Sequence, residues 1–171
     1  MIKLDELKAA IRPTTIMISV MFANNEIGTI QPIKEIGEIA KEHDIIFHTD
    51  AVQAYGHVPI NVDEYHIDML SASGHKINGP KGIGIMYLRN SVKIGPFIHG
   101  GAQERNRRAG THNVPGIVGF GKATEIAKET MAERSAYETK LRDRLIEGLT
   151  AIPNSSCLLY TSPSPRDRTR S

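Results

Sequence analysis

The chain has 171 residues, 40% hydrophobic and 23% charged, which suits a globular domain with one ordinary core or part of a larger one. A formal net charge of +2 is too small to argue for nucleic acid, and no apolar run reads as a membrane span or a signal peptide. A single cysteine excludes an internal disulfide framework and suits a reducing cytoplasm.

In chain order, Asp5-Glu-Leu-Lys-Ala-Ala-Ile11 reads as a short helix with Asp5 as N-cap, stopped by Arg12-Pro13. Thr15 to Phe22 is apolar and rich in β-branched residues, the pattern of a strand buried on both faces of a parallel sheet. It runs into a polar loop, Asn24-Asn-Glu-Ile-Gly28. Pro32 opens a helix to Glu42, with Ile33, Ile36, Ile39 and Ala40 on one face. Ile45 to His48 is a second strand, and a right-handed parallel crossover is the default for this order.

Residues 52–67 carry Gly56, Pro59 and Asn61 and are expected to be irregular with a short turn. Asp68 to Ser73 is a third strand and Ile83 to Leu88 a fourth. The loop between them is too short for a parallel return, so this pair is expected to be antiparallel. His99 to His112 is a polar, basic, glycine-rich loop, either a solvated linker or an anion-binding or subunit-contact surface. From Val114 to about Leu149 the residues Phe120, Ala123, Ala127, Met131, Tyr137, Leu141 and Leu145 keep a helical spacing, longer than most globular helices. From about Cys157 the chain loses amphipathic period and gains prolines and polar residues, so a disordered tail is expected.

The chemistry concentrates at Ser71-Ala-Ser-Gly-His-Lys76. Read alone, Lys76 is an exposed charge on a turn. Asp50, however, ends the neighbouring strand, and in an open parallel sheet ligands sit at the carboxyl ends of strands. A metal is not expected: His48, Asp50 and His75 could approach one another, but structural zinc prefers cysteine or closely spaced histidines, and no His-x-x-x-His pair occurs. A phosphate-binding P-loop is excluded because Pro80 stands where its lysine must be. Cys157 has no local histidine or helix start to activate it. What remains is a lysine that forms an imine. If its carbonyl partner is pyridoxal 5′-phosphate, Asp50 suits the ring nitrogen, Ser73 and His75 flank the lysine as phosphate donors, and Asn25 and Gln53 end the neighbouring strands beside the phenolic oxygen.

With these residues in view the chain resembles the NifS-like cysteine desulfurases of the class V aminotransferase superfamily, fold-type I pyridoxal phosphate enzymes. Asn24-Asn-Glu-Ile-Gly28, His48-x-Asp50-x-x-Gln53, Ser71-x-Ser-Gly-His-Lys-Ile77, Gly79-Pro-Lys-Gly-Ile-Gly84, His99-Gly-Gly-x-x-Glu-Arg105 and Ala109-Gly-Thr111 match in order and spacing over about residues 1–155. The resemblance implies an α/β fold, a partial large domain with a mostly parallel sheet, one antiparallel strand and flanking helices, plus a long C-terminal interdomain helix. It implies Lys76 as the catalytic lysine, Asp50 at the pyridinium, Asn25 and Gln53 at the ring oxygen, and Ser73 and His75 on the phosphate. Thr111 would reach the phosphate of the other subunit's cofactor in a cytoplasmic homodimer.

The activity so implied converts L-cysteine to L-alanine. Sulfur is left as an enzyme persulfide and passes to a scaffold or tRNA-thiolation partner. A selenocysteine lyase or another class V lyase is the alternative within enzymes, and a partner-binding module using Gln103 to Arg108 the alternative outside them. The expected organisation is an incomplete cofactor-binding domain at 1–113, a helix at 114–150 leading to a small domain, and a disordered, non-native tail at 151–171. The family's nucleophilic cysteine, ring-stacking histidine and substrate arginine have no counterparts here, so an internal fragment, inactive alone, is expected.

Overall fold

Alternation along three short runs sets the sheet. In the computed structural model, which describes residues 1–157, β1 (Met17–Met21), β2 (Ile46–Asp50) and β3 (Met69–Ser73) lie side by side and parallel, and β4 (Gly84–Leu88) pairs antiparallel with β3. One row of partners crosses all four strands: Met21, Asp50, Ser71, Met86. The antiparallel return expected from the short β3–β4 connection is therefore found.

Alternate side chains of a strand face opposite ways, so one face of this sheet carries Ile18, Phe47, Thr49, Leu70 and Ala72. All five are buried. Against them packs α2 (Ile33–Glu42), whose Ile33, Ile36, Ile39 and Ala40 form the expected inward stripe. Full burial of a side chain such as Phe47 or Ile36 stabilises by roughly 1.5–3 kcal/mol. Pro32 stands at the N-cap of α2 rather than in its first turn, and Asp44 ends the helix with φ 54°. Gly37 lets α2 approach the 61–67 segment closely: a Cβ there would lie 1.9 Å from the Tyr65 carbonyl oxygen.

The other face differs from the expectation of burial on both sides. Met17, Ser19 and Met21 of β1 are exposed, while Ile18 is buried. The reason is geometric, because α1 (Leu4–Ala10) and α2 pack with the core on one side, leaving the opposite row open among the described residues. The cap of α1 also differs. Lys3, not Asp5, occupies the N-cap; its side chain does not cap the helix but pairs with Glu6 at 2.7 Å, and Asp5 and Glu6 lie in the first turn, where their charge meets the helix dipole favourably.

Residues 52–67 are turns, as composition suggested. Arg89, just after β4, holds their far end by donating to the carbonyls of Val62 and Ile67 at 2.9 and 3.0 Å while pairing with Asp63 and Asp68. The His99–His112 loop contains a four-residue turn, α3 (Gln103–Asn106), in which Glu104 and Arg105 take left-handed angles.

The long helix α4 (Val114–Thr150) forms as expected, with Pro115 in its first turn and the Asn113 side chain accepting the Gly116 N–H at 3.1 Å. Its apolar stripe has two fates. Phe120, Ala123 and Ala127 are buried with Ile77, whereas Tyr137, Leu141, Leu145 and Leu149 are exposed. No helix among the described residues is long and apolar enough to cross a membrane. Of the tail expected to be disordered, residues 158–171 lie outside the described chain. Just before them, the Ser155 hydroxyl lies 2.7 Å from the Leu149 carbonyl oxygen and 2.8 Å from that of Ile152, at the end of α4. Cys157 is half-buried.

Candidate functional site

Parallel strands bring their carboxyl ends to one edge, and here the ladder continues past the strands. Phe22 donates its N–H to the Asp50 carbonyl at 2.7 Å, and Ala51 donates to that of Ser71 at 2.9 Å. The loops leaving β1, β2 and β3 are thus stitched together where they start. Asn25, Asp50, Gln53, Ser73, His75 and Lys76 all lie on or just beyond this edge.

Asp50, the last residue of β2, faces the same side as Ser71 and Ser73. Its Oδ1 accepts the Val52 N–H at 2.9 Å, so the following turn orients the carboxylate. Behind it, His48 bridges three strands. Its Nδ1 stands 2.8 Å from the Ser19 hydroxyl and its Nε2 3.1 Å from that of Ser71. Burial pushes this imidazole below its ordinary range, with Asp50 pulling weakly the other way. Both ring nitrogens are therefore engaged, and among the described residues no cluster of three histidine, cysteine or carboxylate groups could hold a metal.

β3 ends at Ser73, and the chain then makes one 3-10 turn, Gly74–Ile77, closed by Asn78 in the left-handed region (φ 62°). Asparagine tolerates that conformation better than most residues. The Ser73 hydroxyl and His75 Nδ1 lie 2.7 Å apart across the start of the turn. Lys76 is half-buried and His75 exposed. Ile77 and Gly74 pin the turn from below, both buried, with Phe120 and Ala123 of α4 against it.

Asn25 is exposed in the loop after β1, where Asn24 Oδ1 accepts the N–H groups of Glu26 and Ile27 at 2.9 and 3.0 Å. Gln53 is half-buried in the turn that follows Asp50. Thr111 stands apart from this group. It is exposed in the loop before α4, which is closed by Gly110 donating to Gln103 Oε1 at 3.1 Å and by His112 meeting Glu104 at 2.9 Å. Sequence reasoning passed over Ser19, His57 and Arg134. Each acts across the fold on a residue far along the chain, for which no local spacing gives a signal.

The comparisons with known proteins agree with this architecture. The family model described as aminotransferase class-V matches residues 1–171. The chain is 67% identical over 155 residues to the cysteine desulfurase IscS of Methanosarcina thermophila, covering 91% of this chain and 38% of that protein. It is 58% identical over 150 residues to the cysteine desulfurase IscS of Clostridium botulinum strain Hall, covering 88% and 38%. Among solved structures it is similar to a NifS-like protein, with TM-score 0.85 and 46% identity over 88% of this chain and 42% of that one. It is also similar to SspA in complex with cysteine, with TM-score 0.71 and 48% identity over 80% and 42%. The chain thus spans about 38% of the length of the curated relatives it matches.

Proposed function

We infer that this chain, which belongs to the aminotransferase class-V family, carries the lysine-bearing side of a pyridoxal 5′-phosphate site, and that the whole protein is a cysteine desulfurase. The observation that carries this reading is one arrangement. A half-buried lysine follows a hydroxyl–imidazole pair on a single turn, and a carboxylate ends the adjacent parallel strand on the face that the hydroxyl shares. The donor set suits such a group: an amine for an aldehyde, a carboxylate for a ring nitrogen, and neutral donors for a phosphate. Relatives named cysteine desulfurase, and a similar structure with bound cysteine, support L-cysteine as substrate.

On this reading Lys76 holds the cofactor aldehyde, Asp50 faces the ring nitrogen, and Ser73 and His75 hold the phosphate. Asn25 and Gln53 approach the ring oxygen, and Thr111 serves the partner subunit's phosphate in a homodimer. When bound, the cofactor supplies an electron sink for bonds to the substrate Cα. The chain's own contribution is orientation: the ladder beyond β1–β3 fixes the loops, and the Val52 N–H keeps the Asp50 carboxylate in place. Residues 1–113 would form the cofactor-binding unit and 114–150 a helix leading away from it. In the cytoplasm, sulfur from L-cysteine would leave as an enzyme persulfide for a scaffold or tRNA-thiolation partner, with L-alanine released.

Incubation of the purified chain with pyridoxal 5′-phosphate, borohydride reduction and peptide mapping tests the site. The expected adduct sits on Lys76 and disappears in Lys76→Ala. An even spread over surface lysines such as Lys81 and Lys93 contradicts it. For the whole protein, sulfide, selenide and alanine release from L-cysteine and L-selenocysteine separates a desulfurase from a selenocysteine lyase.

A further inference from the structure

A lysine amine is only as well placed as the backbone that carries it. The Lys76 carbonyl closes a single 3-10 turn, and carbonyls at the end of a helical turn have no partner within it. Here the partner comes from far along the chain: His57 Nε2 donates to the Lys76 carbonyl oxygen at 2.9 Å. His57 is itself held by the turn that begins just after Asp50 and contains Gln53. Ala54 and Tyr55 donate their N–H groups to the Ala51 carbonyl at 2.9 and 2.8 Å, and His57 and Val58 donate to that of Ala54 at 2.9 and 3.0 Å.

The same turn is wedged between the lysine turn and α4. Gly56 has φ +72°, and a Cβ on it would meet Ile77 Cγ2 at 2.7 Å and Ala127 Cβ at 3.1 Å. The Gly56 carbonyl accepts from the Arg134 guanidinium of α4. Next to it, the Tyr55 ring meets Phe120 edge-on at 6.0 Å. Residues 54–57 therefore form a strut, with α4 on one side and the lysine turn on the other.

We propose that His57 is a positioning residue for Lys76: its donated hydrogen bond holds the lysine turn in register with the turn that follows Asp50 and carries Gln53. The proposal rests on the cofactor reading given above. Fixing the carbonyl fixes the Cα from which the amine extends. Misplacing a reacting group by about 1 Å can cost about a hundredfold in rate. A carbonyl oxygen can only accept, so the ring nitrogen facing it, Nε2, carries the donated proton.

The test uses the full chain with His57→Ala, which removes the donor, and His57→Gln, whose amide nitrogen can reach a similar position. Amide hydrogen exchange reads the tether without cofactor. His57→Ala is expected to speed exchange at Asn78 and Gly79 about fivefold, the worth of one net hydrogen bond, while His57→Gln stays near wild type. Adduct formation with pyridoxal 5′-phosphate at Lys76, trapped by borohydride, is expected to fall at least as far in His57→Ala, to recover in His57→Gln, and to be unchanged at Lys81. Unchanged exchange and trapping in His57→Ala overturn the proposal, as does His57→Gln behaving like His57→Ala. If the wild-type chain traps nothing at Lys76, the cofactor reading falls, and the exchange data alone decide whether the tether exists.

Discussion

Ser73 Oγ and His75 Nδ1 stand 2.7 Å apart, immediately before Lys76, whose amine is proposed to hold the cofactor. With Nδ1 occupied, the exposed imidazole keeps Nε2 for an outside partner, and the hydroxyl and ring orient each other. Ser73→Ala and His75→Phe should each weaken pyridoxal 5′-phosphate binding about tenfold, or about 1.4 kcal/mol. The double variant should lose less than the product of the two, because the groups are in contact. Fluorescence titration of the cofactor measures this. Affinity unchanged in both single variants would remove these residues from the phosphate site.

His48 makes stability depend on pH. Burial holds its folded-state value below the ordinary 6.5, so the unfolded chain binds the proton more readily. Its contribution is full above the ordinary value and is lost as pH falls from there towards the folded value. Urea unfolding of the wild type should therefore weaken below about pH 6.5, and His48→Gln, which keeps polar atoms but cannot titrate, should flatten that part of the profile. Equal slopes in the two proteins would contradict the burial of a neutral imidazole between Ser19 and Ser71.

Thr49 is fully buried in the core face of β2, and among the described residues its hydroxyl finds no hydrogen-bond partner. Thr49→Val keeps the shape and replaces the orphaned oxygen with a methyl group. Removing the desolvation penalty should stabilise by about 1 kcal/mol, against the usual cost of changing a core residue. A thermal or urea melt reads the sign. A clear loss of stability would mean that the hydroxyl has a partner in solution, such as a buried water.

Gly37 tests the packing of α2 against the 61–67 turn. A methyl group there would stand 1.9 Å from the Tyr65 carbonyl oxygen, a backbone atom that cannot rotate away. Helix propensity favours alanine over glycine by about 1 kcal/mol, but the clash should win and destabilise by about 3 kcal/mol. A stabilised Gly37→Ala would show that α2 can shift without loss.

Local chemistry in the sequence determined much of this protein. Apolar runs rich in β-branched residues located β1 and β2, and the 3.6-residue spacing of Ile33, Ile36, Ile39 and Ala40 oriented α2. The short glycine-and-proline connection after Ser73 implied the antiparallel β4. These signals are legible because strand alternation, helix period and turn length depend on neighbours along the chain. The places of Asp50, Ser73, His75 and Lys76, at or just past strand ends, were legible for a related reason.

Tertiary structure decided which faces are covered and what each group touches. Met17 and Met21 read as core but lie open, 42% and 38% exposed, because both lie on the face of the sheet opposite α1 and α2. The lower half of the α4 stripe keeps its period without a partner among the described residues. Ser19 beside His48, and His57 against the Lys76 carbonyl, join residues 29 and 19 positions apart. Such contacts arise from the packing of loops and strands distant in the chain, so no window of neighbouring residues encodes them, and only the folded backbone brings donor to acceptor.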